Sequence, residues 1–198
     1  MHDWCFGRRA LVSLVVVTGL WCAAALSARA QSAFVPVTDA TLQDPAPGDW
    51  LMWRRTLNGW GYSPLDQIDR DNVADLRMIW ARGLADGSNQ GTPLVYDGVM
   101  YMPNPGDRIQ ALDAETGDLR WEYQRSHPED LGDYIVTALS QINRNIAIYG
   151  DTIIDTSADT YVFALDAVSG QLAWETEILD YTKLQAHQSS GPIIASGK

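Results

Sequence analysis

The chain has 198 residues, of which 46% are hydrophobic, and its 25 acidic residues outnumber 14 basic ones, for a formal net charge of −11. A surface this acidic argues against nucleic acid and anionic membranes as partners. Both cysteines, Cys5 and Cys22, lie within the first 30 residues, so the rest of the chain can form neither a disulfide framework nor a thiolate metal site.

Residues 1–30 have the pattern of a secretory signal peptide. Arg8-Arg9 precedes an apolar run over residues 10–26, and Ala28-Arg29-Ala30 forms an A-x-A cleavage site before Gln31. A membrane anchor is the alternative, although the run is at the short limit for a span. The arginine pair also fits a twin-arginine export signal. We predict a secreted or periplasmic protein that, after cleavage, has a net charge of about −13 and no stable membrane insertion.

The stretch that follows the signal peptide predicts two short helices and one isolated strand. Residues 31–49 form an irregular lead with a short helix near 38–43, and another short helix is predicted over 69–75. Residues 77–82 form a strand that carries Trp80 and resembles Trp-bearing strands later in the chain. Because this strand has no partners beside it in the sequence, we predict that it closes a blade whose other strands lie elsewhere.

A repeat of fixed period comes next. ALDAETGDLRW at residues 111–121 recurs as ALDAVSGQLAW at residues 164–174, an offset of 53 residues. Each copy reads as a strand, a tight turn closed by glycine, and a returning strand with tryptophan. Turn geometry and packing alone explain the glycines and tryptophans, so we interpret them as determinants of the fold. The fixed period indicates a repeat architecture.

Four strands are predicted around each copy, and a third set opens at residues 191–197. Four-stranded antiparallel units at this spacing are typical of β-propeller blades. We predict an all-β fold over residues 50–198: a partial β-propeller with about two four-stranded blades, an N-terminal closing strand and the start of a third blade. Since two blades cannot close a ring, we expect part of a longer propeller or a truncated relative. The predicted strands are 93–96, 99–102, 108–112 and 119–123 in the first blade (about 92–123), and 146–149, 152–155, 161–165 and 172–177 in the second (about 146–178).

Three segments resemble the pyrroloquinoline quinone (PQQ)-dependent alcohol dehydrogenases. They are NGWGYSPLDQI with NVADL in residues 58–76, GTPLVYDGVMY at residues 91–101, and the two ALDA repeats. The resemblance extends from about residue 49 to the end of the chain. It implies an eight-bladed quinoprotein propeller in the periplasm, with PQQ and usually Ca²⁺ on its axis, of which this chain would supply about the first third.

The resemblance implies three cofactor-binding residues. Gln90 lies where the family has a glutamate at the rim of the quinone, and it keeps a hydrogen-bonding group of similar reach. Arg144 matches the arginine that contacts the quinone oxygens, where a permanent cation with a rigid donor fork suits the charge that grows on reduction. Thr156 matches a threonine that donates to a PQQ carboxylate. Two alternatives stay open, a surface salt bridge for Arg144 and an ordinary strand residue for Thr156.

The chain also departs from the family. Some members carry two adjacent cysteines before the arginine, whereas this chain has Ala138-Leu139, which indicates another branch with an unknown substrate. The chain ends before the segments that would supply the Ca²⁺ ligands and the catalytic aspartate, so we assign it no catalytic residue and no metal ligand. Asp130 and Asp133, which share one loop, are interpreted as solvated.

We therefore expect part of a PQQ-dependent dehydrogenase that oxidises an alcohol, aldehyde or sugar hydroxyl and passes electrons through PQQ to a soluble acceptor such as cytochrome c. The isolated chain is expected to be inactive. The alternative is a non-enzymatic propeller that serves as an outer-membrane assembly scaffold or a ligand-binding platform. The repeats of that class tend to be shorter, and it lacks both the opening at residues 58–65 and the Asn143-Arg144 motif.

Overall fold

A computed structural model describes residues 33–84, 86–136, 142–184, 186 and 190–198. The predicted signal peptide and the Ala138-Leu139 pair lie outside these residues. The elements, in chain order, are α1 (Asp39–Gln43), a 3-10 helix (Val73–Asp75), β1 (Ser88–Asn89), β2 (Leu94–Tyr96), β3 (Val99–Asn104), β4 (Arg108–Asp113), β5 (Leu119–Gln124), α2 (Leu131–Tyr134), β6 (Ile142–Asn143), β7 (Ala147–Tyr149), β8 (Thr152–Thr156), β9 (Tyr161–Asp166) and β10 (Leu172–Glu177).

Each copy of the repeat folds into one four-stranded antiparallel sheet. Strands β2 to β5 pair in chain order, and so do β7 to β10, which confirms the eight predicted strands. Asp97 and Gly98, with φ of 46° and 74°, form the first hairpin turn, because such two-residue turns need left-handed backbone. β4 is buried over four consecutive residues, whereas β10 is exposed along its whole length. Burial that falls from the first strands to the last is expected of propeller blades, which pack on both sheet faces.

The two ends of these blades are distinct. We call the end that holds residues 90–93 and 144–146, where the first strand of each sheet begins, the upper end. The lower end holds the hairpin turns Asp97-Gly98 and Gly150-Asp151. Because the strands alternate in direction, the turns after β3 and β8 and the connection after β5 return to the upper end.

Tryptophan rings join neighbouring units at the lower end. The indole of Trp121 donates to the carbonyl of Ala167 (3.0 Å), and a Cβ on Gly170 would lie 2.5 Å from the ring. Trp80 repeats this arrangement one unit earlier, on the carbonyl of Ala114 (3.3 Å) and on Gly117. The predicted packing role of the repeated tryptophans and glycines is therefore confirmed for these pairs.

The segment that leads to Trp80 differs from its prediction. Residues 77–84 belong to no strand ladder in the part of the chain that is described, because no neighbouring strand lies beside them to accept their hydrogen bonds. The helix predicted over 69–75 shortens to the single 3-10 turn. Asp69 caps the residues that lead into this turn, since its carboxylate accepts the backbone N–H groups of Asp71 (2.8 Å) and Asn72 (3.1 Å), and the turn ends at Leu76, whose ψ of 138° is not helical.

The lead packs on both sheets. The helix predicted near 38–43 is confirmed as α1, and Thr38 caps it through reciprocal hydrogen bonds with Thr41. Val37 bridges Gly150 of the second sheet, and Trp50 bridges Val95 of the first. At the other terminus, Ser196 and Gly197 form a hairpin turn at the end of the segment predicted to open the third unit. The helices among the described residues are all too short or too polar to cross a bilayer.

The Trp121 contact predicts the effect of one added methyl group. Gly170 and Gly98 both have positive φ (71° and 74°), but only a Cβ on Gly170 meets a neighbour, since Gly98 faces open space. We expect Gly98→Ala to lower the free energy of unfolding by about 1 kcal/mol through backbone strain. Gly170→Ala should cost about 2 kcal/mol more, because the ring must shift. Denaturant unfolding of the complete gene product measures both, and equal losses would contradict the packing role.

Candidate functional site

A short parallel pairing brings two of the predicted cofactor residues together. β1 pairs with β6 so that Asn89 lies beside Asn143, and the next residue of each segment is therefore Gln90 or Arg144. Nε of Arg144 donates to Oε1 of Gln90 at 3.1 Å. The two residues are 54 positions apart in the sequence. This pairing places a guanidinium and a primary amide side by side at the upper end, with Gln90 exposed.

The segment that carries Gln90 is anchored to the sheet beside it. The amide of Asn89 donates to the carbonyl of Pro103 (2.9 Å) and its Oδ1 accepts the N–H of Gly91 (3.0 Å). Thr92 N–H points at Oδ1 of Asn145 (3.4 Å), which ties the segment to the residue after Arg144. The backbone on both sides of the Gln90–Arg144 pair is thus held by side-chain amides.

Thr156 ends β8 at the same upper end of the blades. It is half-buried, and its N–H donates to the carboxylate of Asp155 (2.8 Å). The turn that follows is held internally, because Ser157 Oγ donates to Asp159 and Ser157 N–H donates to the carbonyl of Tyr161. Thr156 thus lies at the same end of the blades as Gln90 and Arg144. The hydrogen bond described above joins Gln90 to Arg144 and does not include Thr156.

An ion-pair network that the sequence did not reveal fixes this turn to the first blade. Arg125 follows β5 and is only 8% exposed, yet it forms a bidentate pair with Asp159 (2.8 and 2.9 Å) and a third bond to Glu175 (2.7 Å). Its guanidinium also lies over the ring of Tyr161, 4.7 Å from the centroid. Burial raises the pKa of Asp159, but the bonds from Arg125 and Ser157 outweigh burial and leave that pKa below its ordinary value.

A histidine–carboxylate pair lies beside this network. Nε2 of His127 donates to Oδ2 of Asp107 at 2.8 Å, and the same oxygen accepts the N–H of Ala158 (2.7 Å) from the second blade. The hydrogen bond to Asp107 raises the pKa of His127 above its ordinary value, although burial opposes the shift.

The carboxylates and the imidazole of this region are close enough to share a cation. One ligand atom each from Asp107, His127 and Asp159 lies within 4.8 Å of the others. Every one of these groups already has a hydrogen-bond partner, and Arg125 already neutralises Asp159. These groups therefore form an ion-pair network that joins the two blades. Its members are dispersed along the chain without a spacing motif, so no sequence signal could have predicted it.

An apolar cavity of about 240 Å³ lies away from these charged groups, between the lead, β7 and the start of the third unit. Its wall offers few hydrogen-bond donors, so it does not suit an anionic cofactor. The lining residues include Leu42, Leu51, Trp53, Ile146, Ile148 and Ile194. The Gln90–Arg144 pair is the better candidate site for an anion.

Comparison with known proteins gives consistent matches. The family model described as "Glucose/ethanol/alcohol dehydrogenase, beta-propeller domain", a PQQ family, matches residues 50–175. The dehydrogenase subunit of the quinone alcohol dehydrogenase of Gluconacetobacter polyoxogenes is 34% identical over 205 residues, covering 98% of this chain and 28% of the relative. This chain therefore spans less than a third of that relative's length.

Solved structures show the same similarity. The quinohemoprotein alcohol dehydrogenase ADHIIG of Pseudomonas putida HK5 matches with a TM-score of 0.66 and 33% identity, over 73% of this chain and 22% of that one. A europium-containing methanol dehydrogenase matches with a TM-score of 0.61 and 27% identity, over 69% of this chain and 24% of that one.

The His127–Asp107 pair predicts a pH-dependent stability. Because the folded-state pKa of His127 is raised, its contribution is complete below the ordinary value of 6.5 and is lost as pH rises through the folded-state pKa. Asp159 adds to this shift and Arg125 opposes it. In His127→Gln the amide keeps a hydrogen bond without a charge, so we expect it to be less stable than wild type by about 1 kcal/mol near pH 5.5.

This difference between wild type and His127→Gln should shrink towards zero as the pH rises from 5.5 through the folded-state pKa of His127, because the imidazole then loses its charge. Thermal unfolding of the two complete gene products across this range measures it. A difference that grows with pH would contradict the pairing.

Proposed function

Because this chain belongs to the PQQ family of glucose, ethanol and alcohol dehydrogenases, we propose that its two blades form one side of a PQQ-binding site in a dehydrogenase. The observation that carries this proposal is the hydrogen bond of Arg144 to Gln90 at the upper end. It groups two residues that the family resemblance assigns independently to the cofactor. The substrate class would be an alcohol, aldehyde or sugar hydroxyl.

The residues present fit an anionic ortho-quinone. PQQ carries three carboxylates and two adjacent carbonyl oxygens, so its site needs hydrogen-bond donors and positive charge. Arg144 offers a guanidinium fork, and glutamine at position 90 offers an amide where a glutamate would add a competing negative charge. Thr156 can donate its hydroxyl to a carboxylate. When bound, PQQ would supply the two-electron oxidising chemistry.

Each side chain then has a defined task. Gln90 holds Arg144 through Nε at 3.1 Å, and in the proposed site the guanidinium would donate to the quinone oxygens. With PQQ bound, the fixed cation of Arg144 would stabilise negative charge on the quinone oxygens. Thr156 orients the cofactor from the second blade, on a turn that Arg125 and Asp159 hold in place.

The proposal also covers the metal ion, the export route and the electron acceptor. We place no catalytic base and no metal ligand among the described residues; Ca²⁺ or another metal ion would be held by other blades of a closed propeller. The pattern of residues 1–30 supports export to the periplasm or outside the cell, where a soluble acceptor such as a cytochrome c would take the electrons.

Substitution of Arg144 tests the cofactor site. We expect Arg144→Ala in the complete gene product to weaken PQQ binding about thirtyfold, because a charge-assisted hydrogen bond is lost. Equilibrium dialysis of the apoprotein with PQQ and CaCl₂ measures the dissociation constant. Arg120→Ala is the matched control, since Arg120 is exposed and pairs with Asp113 at the start of β5, at the lower end, and should leave affinity unchanged. A wild-type protein that does not bind PQQ would instead favour the non-enzymatic propeller.

The 198-residue chain by itself should not turn over. Two blades provide one side of a pocket, so bound substrate would lack a base and shielding from water. Dye-linked oxidation of ethanol, glucose and acetaldehyde by the purified chain with PQQ and CaCl₂ checks this expectation. Steady turnover above a denatured control would contradict it.

A further inference from the structure

We propose that Gly91 and Gly191, together with Gln90, form a clamp that positions Arg144. The two glycines approach the backbone of the consecutive residues Arg144 and Asn145 from neighbouring segments, and Gln90 accepts a hydrogen bond from the side chain of Arg144. The inference rests on the proposed function, because it assumes that Arg144 contacts the quinone. It adds Gly91 and Gly191 as positioning residues that do not themselves touch the cofactor.

Gly91 provides the first side of the clamp. A Cβ built on it would overlap the carbonyl oxygen of Arg144 and would lie 2.6 Å from Cγ of Pro103. The backbone of Gly91 is not in the left-handed region, so glycine is required here by space and not by conformation. Its backbone therefore packs directly on the peptide that carries Arg144.

Gly191 provides the second side. A Cβ on it would overlap the carbonyl group of Asn145 and would lie 2.7 Å from its Cα. It too is outside the left-handed region. Gly91 precedes β2 and Gly191 opens the third unit, so the segments on both sides of the second blade approach two consecutive carbonyl groups, that of Arg144 and that of Asn145.

The atoms that approach Gly91 and Gly191 differ from those that approach the glycines at the lower end. Gly117 and Gly170 are also closely approached, but by the indole rings of Trp80 and Trp121, which can tilt. At Gly91 and Gly191 the neighbour is backbone, which cannot rotate away. A methyl group on Gly91 must therefore displace the carbonyl of Arg144, and one on Gly191 must displace the backbone of the next residue, Asn145.

Such a displacement matters because a donor fork works only in register with its acceptor. A shift of roughly 1 Å at a positioned group can cost as much as a hundredfold in function. The hydrogen bond between Arg144 and Gln90, with a donor–acceptor distance of 3.1 Å, would be weakened by such a shift.

The test uses the complete gene product as apoprotein and PQQ with CaCl₂ as the probe. Gly91→Ala and Gly191→Ala are each expected to weaken PQQ affinity about tenfold or more. Gly117→Ala is the control matched for destabilisation, because its Cβ would lie 2.7 Å from Trp80 at the lower end. Gly132→Ala, in α2 with open space around it, is the neutral control. Melting temperatures of all four apoproteins separate loss of fold from loss of positioning.

A double-mutant cycle then asks whether Gly91 acts through Arg144. In an Arg144→Ala background the effect of Gly91→Ala on PQQ affinity should vanish, because the group that it positions is gone. An undiminished effect would overturn the proposal. So would PQQ affinities of Gly91→Ala and Gly191→Ala that match those of Gly117→Ala.

If the alanine variants do not fold, Gln90→Ala decides, since it adds no atom: it should weaken PQQ affinity about tenfold in the wild-type background and have no effect in the Arg144→Ala background, because it acts by releasing Arg144. Unchanged affinity in the first background, or an undiminished effect in the second, overturns the clamp. If wild type does not bind PQQ, the proposed function fails. If wild type binds, Arg144→Ala weakens binding and the glycine variants do not, only the clamp fails.

Discussion

The structure depends on an indole ring that lies flat on a glycine of the next unit. Trp121 covers Gly170 and donates to Ala167, whose carbonyl also accepts the hydroxyl of the buried Tyr101. Each such contact removes a large ring from water and satisfies its one polar atom, a combination that favours a single geometry. Because the glycine belongs to a turn of fixed shape, the contact sets both the distance and the rotation between blades.

That constraint leaves the opposite end of the blades for chemistry. The lower end is occupied by the tryptophan contacts, whereas the upper end collects Gln90, Arg144, Thr156 and the network around Arg125. The candidate site thus combines side chains that are 54 residues apart in the sequence with turns that a buried ion pair keeps in place. A cofactor site requires side chains on rigid elements that the surrounding structure holds in place.

The sequence predicted the family, the propeller and its strands because those signals are local or periodic. Asp97-Gly98 specifies a hairpin, and the ALDA repeat specifies a period, so the paired strands are confirmed almost to the residue. The strand predicted around Trp80 is not observed among the described residues, since a strand needs a neighbouring strand to pair with, and the local sequence does not show whether one is present. The β1–β6 pairing and the Arg125–Asp159 pair join residues without any periodic relation, and only the fold brings them together. The roles of Gln90, Arg144 and Thr156 remain predictions that rest on the family resemblance.

The ion pair of Arg125 also makes the two repeats unequal. The position 53 residues later, at the end of the second blade, is Ile178, which is exposed and carries no charge to offer a following turn. A propeller rebuilt from identical copies of either unit would therefore place a buried guanidinium at every junction or at none. The Arg125–Asp159 pair therefore distinguishes this junction from the next one. Variants in which blades are duplicated, deleted or circularly permuted must keep the two blades that form this pair next to each other.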